Sequence, residues 1–266
     1  MRFYRSGVDN WRLGLRVLLG LKIFAHALRM LFGNTGQVLR IAVVPASIAV
    51  ATIFVVFSFL GVTFETIWFD GAATDTGYRR RLFAAQAVVW LVSGTVWLWI
   101  AVAWHRFVLL DQPVETQLPQ FPLGPVILYF GYLFAITSIL VVVLVPSLYL
   151  VVLLSADVTT LIALTWIISV SSLVILMRVS VVLPGVAIGA DTGFGDAWQS
   201  TKGANGTFLI IVLLQFIPQV MISVFSLVPV IGDLLKFFIG FLVLPMIGLS
   251  ILTTLYGHFI EKRELT

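Results

Sequence analysis

Long stretches without a single ionisable side chain alternate along this chain with short clusters that hold most of the charge. Six uninterrupted gaps run 41–64, 82–104, 116–156, 158–177, 203–232 and 237–257. Each is long enough for the roughly 20 apolar residues that a spanning helix needs. The gap at 116–156 is too long for one upright helix. It opens with QLPQFPLGP, where Pro119, Pro122 and Pro125 predict a loop. Its helix is expected to start near Val126, with a kink at Pro146. The pattern predicts an all-α integral membrane fold with six transmembrane helices in tandem hairpins, at about 38–64, 82–110, 126–154, 159–183, 206–228 and 234–257.

Residues 10–32 are apolar too, but with a different period. On a helix, Arg12, Arg16, Lys22, His26 and Arg29 fall within an arc of about 140°. Val17, Leu18, Leu21, Phe24, Leu28 and Leu31 occupy the opposite side. This predicts a basic amphipathic helix lying in the membrane interface rather than a seventh span. Asp9 or Asn10 is expected to cap its start, and Gly33-Asn34 to end it. Residues 1–36 form an N-terminal cytoplasmic segment in this reading, and 37–266 form the six-helix domain. A second short interfacial helix is expected before span 5, where DAWQSTKG precedes the apolar run.

Composition agrees with lipid as the main solvent. Hydrophobic residues make up 60% of the 266 positions and charged ones 11%, against about 25% charged in soluble proteins. Mean hydropathy is +1.09. The net charge of +4 sits beside apolar spans, so anionic head groups rather than nucleic acid are the expected partner. The chain contains no cysteine, which removes disulfides and thiolate chemistry. The broken apolar run at 12–32 is no cleavable signal. Placing both termini in the cytoplasm puts 12 of the 16 Lys and Arg inside and satisfies the positive-inside rule. The exceptions are Lys236 and the cluster Arg79, Arg80 and Arg81, candidates for an outer-side anion contact. Arg12, Arg16, Lys22, Arg29, Arg106, Arg178 and Lys202 are the inner-side candidates for lipid or anion contact.

Internal repetition is visible. AHALRMLFGNTGQVLRIAVV (27–46) aligns with DAWQSTKGANGTFLIIVLL (196–214), each a short helix, a Gly/Asn break and a span. The even spans end alike, in WHRFVLL, MRVSVVL and YGHFIEK.

Several signals imitate chemistry. Two Asp-Thr-Gly triplets, at 75–77 and 191–193, mimic pepsin-like loops, but the topology places a membrane between them. Gly193-Phe194-Gly195-Asp196 matches the G-x-G-D of intramembrane aspartyl proteases, yet no span supplies a second aspartate, and a helix cap explains it. His26, His105 and His258 all fall at the expected inner interface without ligand spacing, so no metal or other cofactor is expected. Trp90, Trp97 and Trp104 recur every seven residues on one face. Such a stripe usually packs against a neighbouring helix, and the alternative is a ligand platform. Arg106 and Arg178 read as snorkelling anchors or, with Lys202, as a shared anion site. No catalytic residue is expected: no central acid or base marks a proton path or hydrolytic site.

RVSVVLPGVAIGADTGFGDAWQSTKGANGTFLIIVLL (178–214) resembles bacterial YciC-like inner-membrane proteins and the membrane domain fused to some glycerophosphodiester phosphodiesterases. The carrying letters are an arginine, a run to Pro184 and then A-W-x-x-T-x-G-x-N. WHRFVLLDQ (104–112) is similar to alphaproteobacterial relatives. The resemblance implies a multi-pass protein of the bacterial inner membrane and carries no catalytic residues. The expected function is a non-enzymatic accessory, assembly or scaffold subunit that packs against other membrane proteins, itself or lipids. The alternative is a lipid or small-amphiphile transporter or channel.

Overall fold

A computed structural model describes residues 3–63, 76–114, 121–155, 157–228 and 231–265. Helix α1 (Phe3–Gly33) leads into span 1, which comprises α2 (Thr35–Val38), a π turn (Leu39–Val43) and α3 (Val44–Leu60). Span 2 is α4 (Thr76–Leu110) and span 3 is α5 (Leu123–Leu154). Span 4 is α6 (Val158–Ser180), continued by α7 (Val182–Ile188). The short α8 (Phe194–Ser200) precedes span 5, α9 (Asn205–Ser223) with a 3-10 turn at Val224–Leu227. Span 6 is α10 (Ile231–Phe259). Six helices are long and apolar enough to cross a membrane, and no strand occurs among the described residues. The chain is an all-α multi-pass membrane protein.

Local chemistry accounts for the breaks. Asn34 Nδ2 donates to the Met30 carbonyl at 2.8 Å, which closes α1 at the Gly33-Asn34 break. Pro45 stands in the first turn of α3 and cannot donate a backbone hydrogen bond, so the turn before it widens to π geometry. The acid at 196 caps the start of α8: Asp196 Oδ2 accepts from the Gly193 N–H at 2.9 Å. One boundary differs from expectation. Helix α1 begins at Phe3, so Asp9 and Asn10 lie inside the helix rather than at its start. A capping side chain starts a helix only where the upstream chain stops one, and FYRSGV holds no proline to do so.

Asp157 caps α6, its Oδ1 accepting from the Thr160 N–H at 2.9 Å and its Oδ2 from the Thr160 hydroxyl at 2.7 Å. The hydroxyl bond, followed by the backbone one, holds this exposed carboxyl below the usual carboxylate range. The folded value therefore lies below the unfolded one. The cap's contribution is complete above the unfolded value and is lost as pH falls through the folded value. Asp157→Ala should melt below wild type at neutral pH and together with it in strong acid. An acid-independent gap between the two melting curves would refute the assignment.

Burial is uneven along the bundle axis. Spans 2, 4 and 6 finish at one end, the tail end, where Arg263 near the C-terminus reaches the Leu109 carbonyl at 3.0 Å. Most of the main core lies toward that end: Ile100, Val102, Trp104, Ile251 and Leu255 are fully buried, as are Val182 and Ala187 of α7. The far end is looser. Between 139 and 175, only Val151 is buried among the described residues. Spans 1 and 2 instead share a small core of Phe57, Val62 and Ala85.

Helix α1 lies across the tail end. Its Gly20, Ile23, Ala27 and Leu31 are buried. The Arg16 carbonyl accepts from Thr207 at the start of α9, while His26 and Met30 line one hollow with Thr254 and His258 at the end of α10. Leu18, Leu21, Lys22, Arg29 and Phe32 remain exposed on the opposite side.

Candidate functional site: an uncharged cleft backed by a polar line

A cleft of about 530 Å³ opens between spans 2, 3, 4 and 6. That volume lies in the range of sites for small amphiphilic ligands, about 300–1,000 Å³. Trp97, Tyr129, Phe130, Ser180 and Gly248 are among its walls, and no lining residue is charged. Two of the wall positions, Gly94 and Gly248, have nothing near where a Cβ would stand, so the missing side chains themselves make the space. A second hollow of about 190 Å³ shares Ser180, Gly248 and Leu252 with the first and continues between spans 4, 5 and 6.

Behind the cleft runs a line of polar side chains. His105 is completely buried, its Nδ1 2.8 Å from Thr253 Oγ1 and its Nε2 3.3 Å from the Tyr129 hydroxyl. The imidazole and phenol rings stack with centroids 5.8 Å apart. Tyr129 lines the cleft, whereas Thr253 lines a separate hollow of about 230 Å³ at the tail end. That hollow also holds His26, His258, Arg263 and Glu264. His105 therefore links two compartments. Its expected place at the interface, half in water, is corrected: Tyr129 of span 3 and Thr253 of span 6 pack against the ring, and it is fully buried.

Arg178 forms a separate structure. Its Nε donates to Thr201 Oγ1 at 3.2 Å, Nη1 to Asn205 Oδ1 at 2.8 Å, and Nη2 to the Trp198 carbonyl at 3.1 Å. The guanidinium also lies 3.8 Å from the centre of the Trp198 ring. Among the described residues no carboxylate pairs with it, so carbonyl and amide dipoles and the ring face supply its counter-field. The letters W, T and N of A-W-x-x-T-x-G-x-N are thus its partners, and the G is Gly203, which turns the chain at φ +82°.

The remaining candidates are dispersed. Arg106 donates to the Ala187 carbonyl at 3.4 Å and to Gln112 at 3.1 Å, tying α4 to the end of α7. It shares no partner with Arg178, and Lys202 is exposed. Arg16, Lys22 and Arg29 are exposed on α1, and Arg12 lies on the same helix, its side chain outside the described residues. Arg79, Arg80 and Arg81 are exposed in the opening turns of α4, with Arg81 over the Tyr78 ring at 5.7 Å. The tryptophan stripe is graded: Trp90 is exposed, Trp97 lines the cleft, and Trp104 is buried with its indole N–H unpartnered among the described residues. His105, Arg106, Arg178 and Asp196 do not converge. Asp75 of the first triplet lies outside the described residues, and Thr76 and Gly77 begin α4, about 50 Å of helix from the tail end. Among the described residues no group of three His, Asp or Glu could hold a metal.

No family model, no curated protein and no solved structure matches this chain.

Proposed function

We propose that this is a non-enzymatic accessory, assembly or scaffold protein of the bacterial inner membrane. It works by packing against another membrane protein or a second copy of itself. The observation that carries this reading is the far half of the span 3–4 hairpin, where Val151 alone is buried among the described residues from 139 to 175 and large side chains such as Val142, Leu154 and Ile167 are exposed. The likeness of 178–214 to YciC-like proteins supports the location. The chain has no cysteine, so single-cysteine variants at Val142 or Leu153 report contacts cleanly. Cross-linking in native membranes should join either position to a membrane protein or to a second copy. A monodisperse, uncrosslinked monomer would sink the proposal.

The tail end faces the cytoplasm in this reading, with α1 in the interface and Lys22 and Arg29 among anionic head groups. A membrane-impermeant maleimide should label Arg80→Cys in intact cells and spare Lys202→Cys until the cells are opened. The reverse pattern would invert the topology.

The uncharged cleft favours a second reading, in which the protein binds or moves a lipid or small amphiphile. It needs no intramembrane charge, only the apolar walls and the few hydroxyl groups already described.

A further inference from the structure

We infer that the cleft takes a neutral amphiphile bearing a free hydroxyl group, which it recognises by accepting that hydroxyl's hydrogen at Tyr129. The inference rests on the second reading above, that the cleft holds an amphiphile.

The direction of the polar line decides the chemistry. Thr253 Oγ1 lies 2.8 Å from the Leu249 carbonyl and 2.8 Å from His105 Nδ1. A hydroxyl has one proton, and the carbonyl can only accept. The threonine therefore donates to Leu249 and accepts from His105, which places the imidazole proton on Nδ1. A cationic imidazole at this depth would need a countercharge, and no carboxylate touches His105 among the described residues. Its Nε2 is then a lone pair, and the Tyr129 hydroxyl 3.3 Å away donates to it. Tyr129 has thereby used its only proton. Toward the cleft its oxygen can accept a hydrogen bond but not give one.

The rest of the lining fits a neutral partner. No wall residue is charged, so a phosphate or carboxylate inside would lie unpaired in an apolar medium. Ser180, at the junction of the two hollows, has a hydroxyl with no partner among the described residues, available to a polar head either as donor or as acceptor. Trp97 and Phe130 give flat apolar contact, and the opening at Gly248 leads on between spans 4, 5 and 6 for a tail. Long-chain alcohols and mono- or diacylglycerols have this chemistry. Esters, ethers and ketones without a hydroxyl would set an acceptor against the acceptor on Tyr129.

The test uses the full chain in nanodiscs of uncharged lipid, with a brominated long-chain alcohol and its methyl ether as probes. Bromine quenches nearby tryptophan, and Trp97→Phe identifies the component arising from the cleft. The alcohol should quench that component at roughly one-tenth of the ether concentration, the difference one hydrogen bond makes. Tyr129→Phe should bring the alcohol to the level of the ether. Gly248→Leu, whose Cβ meets open space, should abolish both responses. Equal potency of the two probes on the wild-type protein overturns the hydroxyl inference while leaving the cleft as an amphiphile site. Absence of any Trp97-dependent quenching overturns both. If Tyr129→Phe does not fold, the alcohol–ether comparison on the wild type still decides the question.

Discussion

Replacing Arg178 by alanine should destabilise the protein by on the order of 4 kcal/mol, the largest effect expected of any single substitution here. Three charge-assisted hydrogen bonds and a close ring contact disappear together, and Thr201 and Asn205 lose their partner. Each charge-assisted bond is worth about 1.5–3 kcal/mol alone, and because the three share one group their losses do not add. Arg178→Lys should recover little, because an ammonium cannot reach three acceptors in one plane while lying on an indole. Arg106→Ala is the comparison. With one bond at 3.4 Å and one to the exposed Gln112, it should cost under about 1 kcal/mol. Thermal unfolding of the three variants in one detergent reads the ranking. Similar losses for Arg178→Ala and Arg106→Ala would mean that the clamp around Arg178 is not a unit.

Gly20→Leu should be next, at about 1–3 kcal/mol. A Cβ at Gly20 would stand 2.9 Å from Ile210 Cγ2 and 3.1 Å from the Thr207 carbonyl oxygen. The isoleucine methyl can turn away, but the carbonyl belongs to the first turn of α9 and cannot. Helix α1 must therefore rise off span 5, taking Ile23 and Ala27 out of the core. Limited proteolysis should then cut within α1 of the otherwise folded protein, where wild type resists. A variant that resists cleavage and melts with wild type would show that α1 is not held at this point.

The six spans were legible because a lipid-facing helix excludes charge from all its sides, so gaps between ionisable residues reveal it directly. The breaks at Gly33-Asn34 and before α8 were legible for a related reason: each depends on side chains a few residues apart. Boundaries set by distant packing were harder. Arg79, Arg80 and Arg81 mark a charge boundary near 82, but arginine forms helix readily, and α4 continues back to Thr76. The motif around Trp198 could be read as letters, while its reason, a guanidinium 20–27 residues upstream, required the tertiary structure. The cleft left no local signal. It arises from glycines on different helices, Gly94 and Gly248, and from the hydroxyl groups of Tyr129 and Ser180, which spans 3 and 4 bring together. His105 was misplaced for the same kind of reason, because the side chains packed against it, Tyr129 and Thr253, come from spans 3 and 6.

The seat of α1 also has a consequence for the order in which the protein assembles. The α1 helix leaves the ribosome well before its seat exists, since Thr207, which donates to the Arg16 carbonyl, comes 191 residues later. Closing so long a loop before the last hairpin exists is impossible, and contacts of such separation form slowly. The span 1–2 hairpin needs no such delay, since Phe57, Val62 and Ala85 complete its small core from neighbouring sequence. Helix α1 is therefore made early and must wait for its seat. Its docking onto spans 5 and 6 is the step that completes the tail end.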